Sequence, residues 1–279
     1  MKKIFWIASY PKSGNTWMRA ILASLFYTNS GEFEFSLLKK IKIFDKKYNY
    51  DFIEFLNSSD FKNLKELKTI SKYRIEAQKK AKIIDGNFSF FKTHSANIKI
   101  SNYKYTNEDN TLGLIYLVRD PRDVVVSFAK HKGISYDKMI ETIKNESILT
   151  YTGDSFPAIL SRWDYHYHSW EKLNVPKIII KYEDLLKESE KVVIQITDFF
   201  FKNYNYKFEN LDKKIMNILD TTKFEKLSEY EKKHGFDEAR NSLFFRKGKN
   251  MQWKSDLSTE QIKLIEDSFK PLMKKLNYL

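Results

Sequence analysis

Residues 4–17 read IFWIASYPKSGNTW. The apolar run at residues 4–8 predicts a buried strand, and the apolar spacing of residues 17–25 predicts a helix. Between them, Tyr10-Pro11 and Gly14 predict a tight loop. The first N–H groups of a helix point out of its N-terminus, where the helix dipole is positive. The start of the chain therefore predicts a P-loop-like strand–loop–helix unit that binds phosphate.

The side chains of this loop also suit an anion. Gly14 permits close approach of a ligand to the backbone, and Lys12 adds a positive charge. Ser13, Asn15 and Thr16 add polar donors, although one such residue is also enough to cap an ordinary helix. The order differs from the Walker A pattern, because Lys12 precedes Gly14 and the loop has no second glycine. This order disfavours nucleotide kinases, NTPases and Rossmann dinucleotide enzymes.

The strand-then-helix pattern occurs twice more. Residues 112–118 form a continuous apolar run that predicts a strand, followed by a helix over residues 123–130. Residues 177–182 predict another strand, followed by a helix that opens at Glu183-Asp184. The pattern predicts an α/β fold in which helices flank a mostly parallel sheet, as a single domain over residues 1–279. In such sheets the ligand lies beyond the carboxyl ends of the strands.

The sequence predicts helical structure in two more segments. Residues 194–201 are periodic and apolar, which predicts a helix, and residues 33–82 are expected to be mainly helical. His166 and His168 belong to a segment that is typical of a helix face rather than a metal site. We therefore predict no metal ligands.

The composition excludes several kinds of site. The chain of 279 residues has no cysteine, so disulfides, zinc–thiolate sites, iron–sulfur clusters and thiol nucleophiles are excluded. No apolar run reaches the roughly 20 residues that a membrane-spanning helix needs. We therefore expect a cytoplasmic protein without a membrane span. The formal net charge of +13 suits an anionic partner, which is a nucleotide, a nucleic acid or an anionic membrane surface.

Residues 10–17 resemble the 5'-phosphosulfate loop of the cytosolic sulfotransferase family, which reads Y-P-K-S-G-T-T-W; Asn15 replaces a threonine. Later segments resemble further motifs of that family in the correct order: Lys92-Thr93-His94 (K-T-H), residues 114–127 (a strand, then R-[ND]-P-x-D and a helical serine), Tyr182-Glu183-Asp184 (Y-E-D), residues 222–225 (T-S-F-E), and Arg246-Lys247-Gly248 with Trp253-Lys254 (R-K-G-x-x-G-[DN]-W-K). The resemblance covers nearly the whole chain and departs from the family at Met251-Gln252.

This resemblance implies a sulfotransferase that uses 3'-phosphoadenosine 5'-phosphosulfate (PAPS) and releases PAP, without a metal. The implied catalytic residues are His94 as general base, Lys12 on the leaving phosphate, and Lys92 nearby. The implied donor-binding residues are Lys12, Ser13, Gly14, Asn15 and Thr16 at the phosphosulfate, Arg119, Ser127, Arg246, Lys247 and Gly248 at the 3'-phosphate, and Trp17, Tyr182, Thr222 and Phe224 around the adenine. Arg122 and Asp123 are interpreted as a local ion pair.

Two other functions explain part of the sequence. A nucleotide-dependent phosphotransferase of P-loop-like architecture would share the first unit, and a basic nucleic-acid-binding protein would explain the charge. The second gives no reason for Lys12, Gly14 and His94 in order, so we expect no nucleic-acid partner. The resemblance implies a small-molecule acceptor with a hydroxyl or an amine group, and small alcohols, phenols, lipids and sugars all stay open. We expect residues 33–87 and 134–170, which match none of the family motifs, to recognise it.

The oligomeric state is not predicted. The dimer motif of the family reads K-x-x-x-T-V-x-x-x-E near the C-terminus. Lys254 begins a matching register, but Ser258, Thr259 and Lys263 occupy the other positions. The motif therefore does not carry over.

Overall fold

The structure, a computed structural model, describes residues 3–53, 64–81, 88–146, 148–149, 155–236, 238–239, 245 and 248–279. The chain divides into two compact units. The first consists of Met1–Tyr10, Ile41–Tyr116 and Glu146–Ile179; the second consists of Pro11–Lys40, Leu117–Asn145 and Ile180–Leu279. The single domain over residues 1–279 stays a prediction.

The described residues form nine strands, eleven α-helices and two short 3-10 helices. The strands are β1 (Ile4–Ser9), β2 (Lys42–Ile43), β3 (Phe90–Thr93), β4 (Lys99–Ile100), β5 (Tyr103–Lys104), β6 (Thr111–Val118), β7 (Ile148–Leu149), β8 (Ala158–Ile159) and β9 (Lys177–Lys181). The α-helices are α1 (Asn15–Tyr27), α2 (Leu64–Lys80), α3 (Pro121–Lys132), α4 (Tyr136–Lys144), α5 (Trp163–Glu171), α6 (Tyr182–Lys187), α7 (Ser189–Tyr204), α8 (Leu211–Thr221), α9 (Phe224–His234), α10 (Trp253–Asp256) and α11 (Thr259–Lys275). Phe35–Lys40 and Lys47–Tyr50 are short 3-10 helices.

The main sheet has the strand order β2-β3-β1-β6-β9. Strands β1 and β2 both pair in parallel with β3. In the β1–β3 register Ala8 lies opposite Thr93. The next residues, Ser9 and His94, therefore leave the sheet at the same edge, because the carboxyl ends of parallel strands lie together.

Aromatic side chains fill the core of the first unit. Trp6 on β1 is fully buried, and its ring centroid lies 5.1 Å from Phe44, 5.6 Å from Tyr105 and 5.9 Å from Trp170. The large apolar area of such rings makes them the main contributors to core stability. Since Trp170 lies on α5, this contact holds that helix against the sheet.

The second unit is built from helices. Phe26 at the end of α1 packs against Phe200 on α7, with ring centroids 4.8 Å apart, and against Phe208 at 5.0 Å. Helix α3 begins where the sequence provides a cap. Asp120 accepts a hydrogen bond from the backbone N–H of Arg122, and Pro121 occupies the first helical turn, where its missing N–H costs nothing.

Most predicted elements are confirmed. The strands at residues 4–8, 112–118 and 177–182 correspond to β1, β6 and β9, and α1, α3, α6 and α7 follow as expected. Residues 33–82 were predicted to be mainly helical, and their described part contains two 3-10 helices and one α-helix, with β2 as the one strand in that part. Residues 54–63 and 82 lie outside the described part. Among the described residues, no helix is long and apolar enough to cross a membrane.

A buried ion pair lies at the β2–β3 edge of the first unit. Asp45 follows β2 and is 2% exposed, and its Oδ1 lies 4.0 Å from Nη2 of Arg74, which is 1% exposed. The Thr93 hydroxyl donates to Asp45 Oδ2 at 3.0 Å, and the Tyr105 hydroxyl donates to Thr93 Oγ1 at 2.6 Å. Burial raises the pKa of Asp45, while the charges of Arg74 and Lys92 oppose that rise.

We predict that Arg74→Met lowers the free energy of unfolding by about 3 kcal/mol, because it removes the cation paired with a buried carboxylate. The double variant Arg74→Met/Asp45→Asn should lose less, since no unpaired charge then remains. Urea unfolding measures the free energy of unfolding of the wild type, the single variant and the double variant. Lys191→Met is the control, because it breaks the exposed pair with Glu188 (2.7 Å) and should leave stability unchanged. An equal loss in the single and double variants would contradict the assigned pairing.

Candidate active site

The loop after β1 has an unusual backbone. Lys12 has φ 67° and Gly14 has φ 91°, both in the left-handed region. Gly14 is the N-cap residue of α1, and no side chain caps this helix. The first intrahelical bond runs from the N–H of Met18 to the carbonyl of Gly14 at 3.0 Å. No side chain caps the N–H groups of the first turn, which lie at the positive end of the helix dipole. Such N–H groups can bind an anion.

Polar atoms are buried around this helix start. Ser13 is 0% exposed, and its Oγ has no hydrogen-bond partner among the described residues. Trp17 Nε1 is likewise buried and unpartnered within the described part of the chain. A buried donor without a partner is costly, which favours a ligand at this place. The hydroxyl of Thr16 instead donates to Glu238 at 3.2 Å, and Glu238 also pairs with Arg19.

Arg119 connects three segments of the second unit. Its Nη1 donates to the carbonyl of Lys12 at 3.0 Å, and its Nη2 donates to the carbonyl of Lys249 at 3.1 Å. Its guanidinium lies 4.2 Å from the ring centroid of Tyr182. Arg119 is 4% exposed, and its Nε has no partner among the described residues. The predicted 3'-phosphate arginine thus lies against the loop after β1.

Tyr182 and Trp17 also lie against that loop. Their ring centroids are 6.3 Å apart, in an edge-on arrangement of 74°. A Cβ on Gly14 would lie 2.7 Å from Cδ2 of Tyr182, so only glycine fits there. Burial raises the pKa of Tyr182, and the charge of Arg119 opposes the rise. The structure therefore brings together Lys12, Gly14, Trp17, Arg119 and Tyr182 from three separate motifs.

Gly248 and Phe224 form a second close contact. Gly248 has φ 55°, and a Cβ on it would lie 2.4 Å from Cγ of Phe224. Phe224 packs in turn on Phe245, with ring centroids 5.9 Å apart. The hydroxyl of Thr222 donates to the carbonyl of Ile218 at 2.7 Å, which ends helix α8.

Three further residues were predicted to bind the 3'-phosphate: Ser127, Arg246 and Lys247. Ser127 lies on α3 and is half-buried. Arg246 and Lys247 lie outside the described residues. Their roles stay predictions.

The predicted local ion pair between Arg122 and Asp123 is wrong. Arg122 pairs with Asp120 at 2.6 Å and with Glu266 on α11, and it lies over the ring of Trp253 at 3.9 Å. Asp123 faces Arg119 instead, at 3.9 Å. Adjacent residues on a helix point in different directions, so Arg122 and Asp123 face different partners: Asp120 and Arg119 lie nearby in the sequence, whereas Glu266 is reached only through tertiary packing.

Asp123 also explains the departure from the family pattern at Met251. The carboxylate accepts the backbone N–H groups of Met251 at 2.7 Å and Trp253 at 3.2 Å. Met251 has φ 57°, a conformation that favours glycine, and the family pattern has glycine at this position. Asp123 therefore holds the backbone of this turn in a left-handed conformation at Met251.

His94 lies in the first unit, directly after β3. Its Nδ1 is 2.9 Å from the carbonyl oxygen of Ser9 and 3.3 Å from Ser9 Oγ. A carbonyl only accepts, so Nδ1 carries the proton and Nε2 is the basic nitrogen. Lys92 is 7% exposed on β3, where its charge acts on Asp45.

The two other predicted histidines lie on α5, as expected. His168 contacts Glu171 at 2.9 Å, whereas His166 is fully buried and contacts the carbonyl of His94 at 3.0 Å. Sequence reasoning missed this contact, and it also missed Glu238. The sequence signal for this contact was the spacing of His166, Ser169 and Trp170, which places all three side chains on one face of the helix. Within the described ranges, no group of three or more His, Asp or Glu side chains could hold a metal.

Comparisons with known proteins agree with this geometry. The family model described as "Sulfotransferase domain" matches residues 2–277. The chain belongs to this sulfotransferase family. The sulfotransferase is 27% identical over 270 residues to flavonol 3-sulfotransferase of Flaveria bidentis, with 93% of this chain and 78% of the relative covered. It is 23% identical over 274 residues to luciferin sulfotransferase of Photinus pyralis, with 92% and 68% covered.

Solved structures share the fold of the sulfotransferase. Retinol dehydratase in complex with retinol and PAP matches with a TM-score of 0.64 at 22% identity, over 98% of this chain and 82% of that chain. Mouse sulfotransferase SULT7A1 complexed with PAP matches with a TM-score of 0.61 at 17% identity, over 100% and 86%. The predicted α/β fold with a parallel sheet is confirmed, as is PAPS as the co-substrate of the family.

The residues of the sulfotransferase fit such a co-substrate. The start of α1 has no side-chain cap, Ser13 Oγ is buried without a partner in the described part, and Arg119 supplies a buried cation. The buried hydroxyl of Ser13 costs stability unless a ligand supplies its missing partner, and the positive helix start and the cation of Arg119 both favour an anion as that ligand.

We predict that Gly248→Ala weakens PAP binding and lowers the melting temperature, because the new Cβ meets the ring of Phe224 at a left-handed φ. Gly235→Ala is the matched control. It has φ 75° but nothing within 4 Å of the new Cβ, so it carries only the backbone strain. Calorimetry with PAP and thermal unfolding compare the two. Equal PAP affinities in both variants would show that the Gly248–Phe224 contact does not shape the site.

Proposed function

We propose that the sulfotransferase moves the sulfuryl group of PAPS to a hydroxyl, or an amine, of a small-molecule acceptor. His94 acts as general base and Lys12 stabilises the leaving phosphate. The observation that carries this mechanism is the hydrogen bond of His94 Nδ1 to the Ser9 carbonyl, 2.9 Å long. It fixes the tautomer in which Nε2 accepts a proton.

The second unit supports the donor side of the proposal. The N–H groups of the first turn of α1, with Ser13, Asn15 and Thr16, hold the phosphosulfate. Arg119, Ser127 and the segment at residues 246–248 hold the 3'-phosphate, and Trp17, Tyr182, Thr222 and Phe224 surround the adenine. Thr16 must exchange its hydrogen bond to Glu238 for one to the ligand.

The reaction then needs only positioning and charge. The acceptor oxygen forms a bond to sulfur while the bond from sulfur to the bridging phosphate oxygen breaks. The acceptor proton passes to His94 Nε2, and Lys12 balances the charge left on the phosphate. General-base catalysis contributes about 10²–10⁴-fold. Fixed cations that stabilise developing charge are often the largest contribution.

The acceptor is proposed as a small molecule that carries a hydroxyl group. The names of the relatives above refer to flavonol and luciferin, and one matched structure contains retinol. Residues 33–87 and 134–170 are the proposed recognition segments. The cytoplasmic location belongs to this proposal too, supported by relatives such as cytosolic sulfotransferase 17 of Arabidopsis thaliana.

The test is turnover of labelled PAPS against a panel of phenols, alcohols, sterols, sugars and amines. Sulfated product with any of them supports the proposal. Calorimetry with PAP and ATP separates it from a phosphotransferase, which would prefer ATP. Salt-dependent binding of random DNA without PAP binding would favour a nucleic-acid-binding protein.

We predict that His94→Ala lowers kcat by at least about 10²-fold while PAP affinity stays unchanged, because it removes the base but no donor contact. Lys12→Ala should lower kcat by a similar factor and also weaken PAP binding. His168→Ala and Lys202→Ala are the controls, as both side chains lie away from the motifs. Wild-type turnover in either of the first two variants would show that the assigned role is wrong.

Arg119 has two roles that a ligand comparison can separate. Contact with the 3'-phosphate predicts that Arg119→Ala loses more affinity for PAP than for AMP, which lacks that phosphate. Its bonds to the carbonyls of Lys12 and Lys249 predict some loss for both ligands. Ser127→Ala should affect PAP alone, by about 10-fold. Calorimetry measures the four affinities, and an equal loss of PAP and AMP in Arg119→Ala would leave Arg119 as a positioning residue only.

A further inference from the structure

Helix α5 is hydrogen-bonded to the backbone that carries His94. Three of its side chains, at positions i, i+3 and i+4, lie on one face and contact the main chain of residues 94–97. These contacts are His166 Nε2 to His94 O (3.0 Å), Ser169 Oγ to Asn97 N (2.9 Å) and Trp170 Nε1 to Ser95 O (3.0 Å). Helix α5 therefore holds the main chain of the segment that follows β3 in place.

The hydrogen bonds of His166 have a fixed direction. The His94 carbonyl only accepts, so His166 Nε2 carries the proton and donates it. Nδ1 then accepts from the Tyr116 hydroxyl, 2.7 Å away. Burial lowers the pKa of His166 to about 4 and raises the pKa of Tyr116, so near neutral pH the imidazole is uncharged and the phenol keeps its proton.

The imidazole of His166 is also fixed by packing. It is 0% exposed, with the Tyr10 ring edge-on at 5.4 Å and the Tyr116 ring at 5.7 Å between centroids. The backbone of His94 is thus held by His166, while its ring is held by the carbonyl of Ser9. These two hydrogen bonds between uncharged groups therefore restrain both the backbone and the side chain of His94.

We propose that His166 is a positioning residue for His94: its Nε2–H holds the His94 carbonyl so that the His94 ring keeps its bond to Ser9. This inference rests on the proposed function, in which His94 is the general base. A base displaced by about 1 Å loses up to about 10²-fold in rate. His166 touches no reacting atom and acts only through His94.

The variants separate the hydrogen bond from the packing. His166→Phe fills the space without a donor. His166→Gln places an amide N–H near the position of Nε2, whereas the shorter His166→Asn does not reach it. His168→Phe is the matched control, because it changes the same residue type on the same helix, where the side chain contacts Glu171 instead.

The primary measurement needs no acceptor. Long-range proton–nitrogen NMR spectra of the intact chain with PAP report the tautomer of each of the five histidines. We expect His94 as the Nδ1–H tautomer in the wild type, in His166→Gln and in His168→Phe. We expect a mixture of tautomers in His166→Phe and His166→Asn. Unchanged His94 signals in both of these variants, or an equal change in His168→Phe, would overturn the proposal.

Turnover supplies the second measurement. With PAPS and an acceptor from the panel, His166→Phe and His166→Asn should lower kcat about 10–100-fold, with KM for PAPS unchanged, and His166→Gln should recover most of the loss. A change in KM alone, or no recovery in His166→Gln, would point to general damage and refute the proposal. A wild-type chain that neither binds PAP nor transfers sulfuryl would refute the proposed function instead, while the NMR comparison would still decide whether His166 positions His94.

Discussion

The parallel pairing of β1 with β3 is the constraint on which the position of His94 depends. Ala8 lies opposite Thr93, so the next residues, Ser9 and His94, emerge together, and the Ser9 carbonyl accepts the His94 Nδ1–H. A shift of one residue in this register would turn every side chain of a strand to the other face. Ser9 also precedes the loop that begins at Tyr10, so β1 both carries the carbonyl that His94 contacts and leads into that loop.

In the second unit, Arg119 has the corresponding role. A buried guanidinium requires compensation for its lost hydration. Here two backbone carbonyls, the face of Tyr182 and the carboxylate of Asp123 at 3.9 Å supply it. Asp123 in turn accepts two backbone N–H groups, which spread its charge. Arg119 thus holds the loop carbonyl of Lys12 in place, and its Nε lacks a partner in the described part of the chain.

Local signals explain which features were predictable from the sequence. The strand, loop and helix at residues 4–17 follow from an apolar run, Pro11 and Gly14, and the start of α3 follows from Asp120-Pro121. Strand β3 was missed because four residues are too few to show a period.

The remaining features depend on tertiary packing. One of the two carboxylates that pair with Arg122, Glu266, lies 144 residues away, and no local sequence pattern predicts it. His166 was placed correctly on a helix, but its contact with His94 spans 72 residues and exists only in the folded chain.

Catalytic bases in many enzymes are oriented by a carboxylate, which also stabilises the protonated imidazole. His94 instead contacts the carbonyl of Ser9 through its ring and neutral His166 through its backbone carbonyl. The buried carboxylate of the first unit, Asp45, is balanced by Arg74 and Lys92. Both of these contacts of His94 are with uncharged groups, so they orient the residue without adding a negative charge beside it.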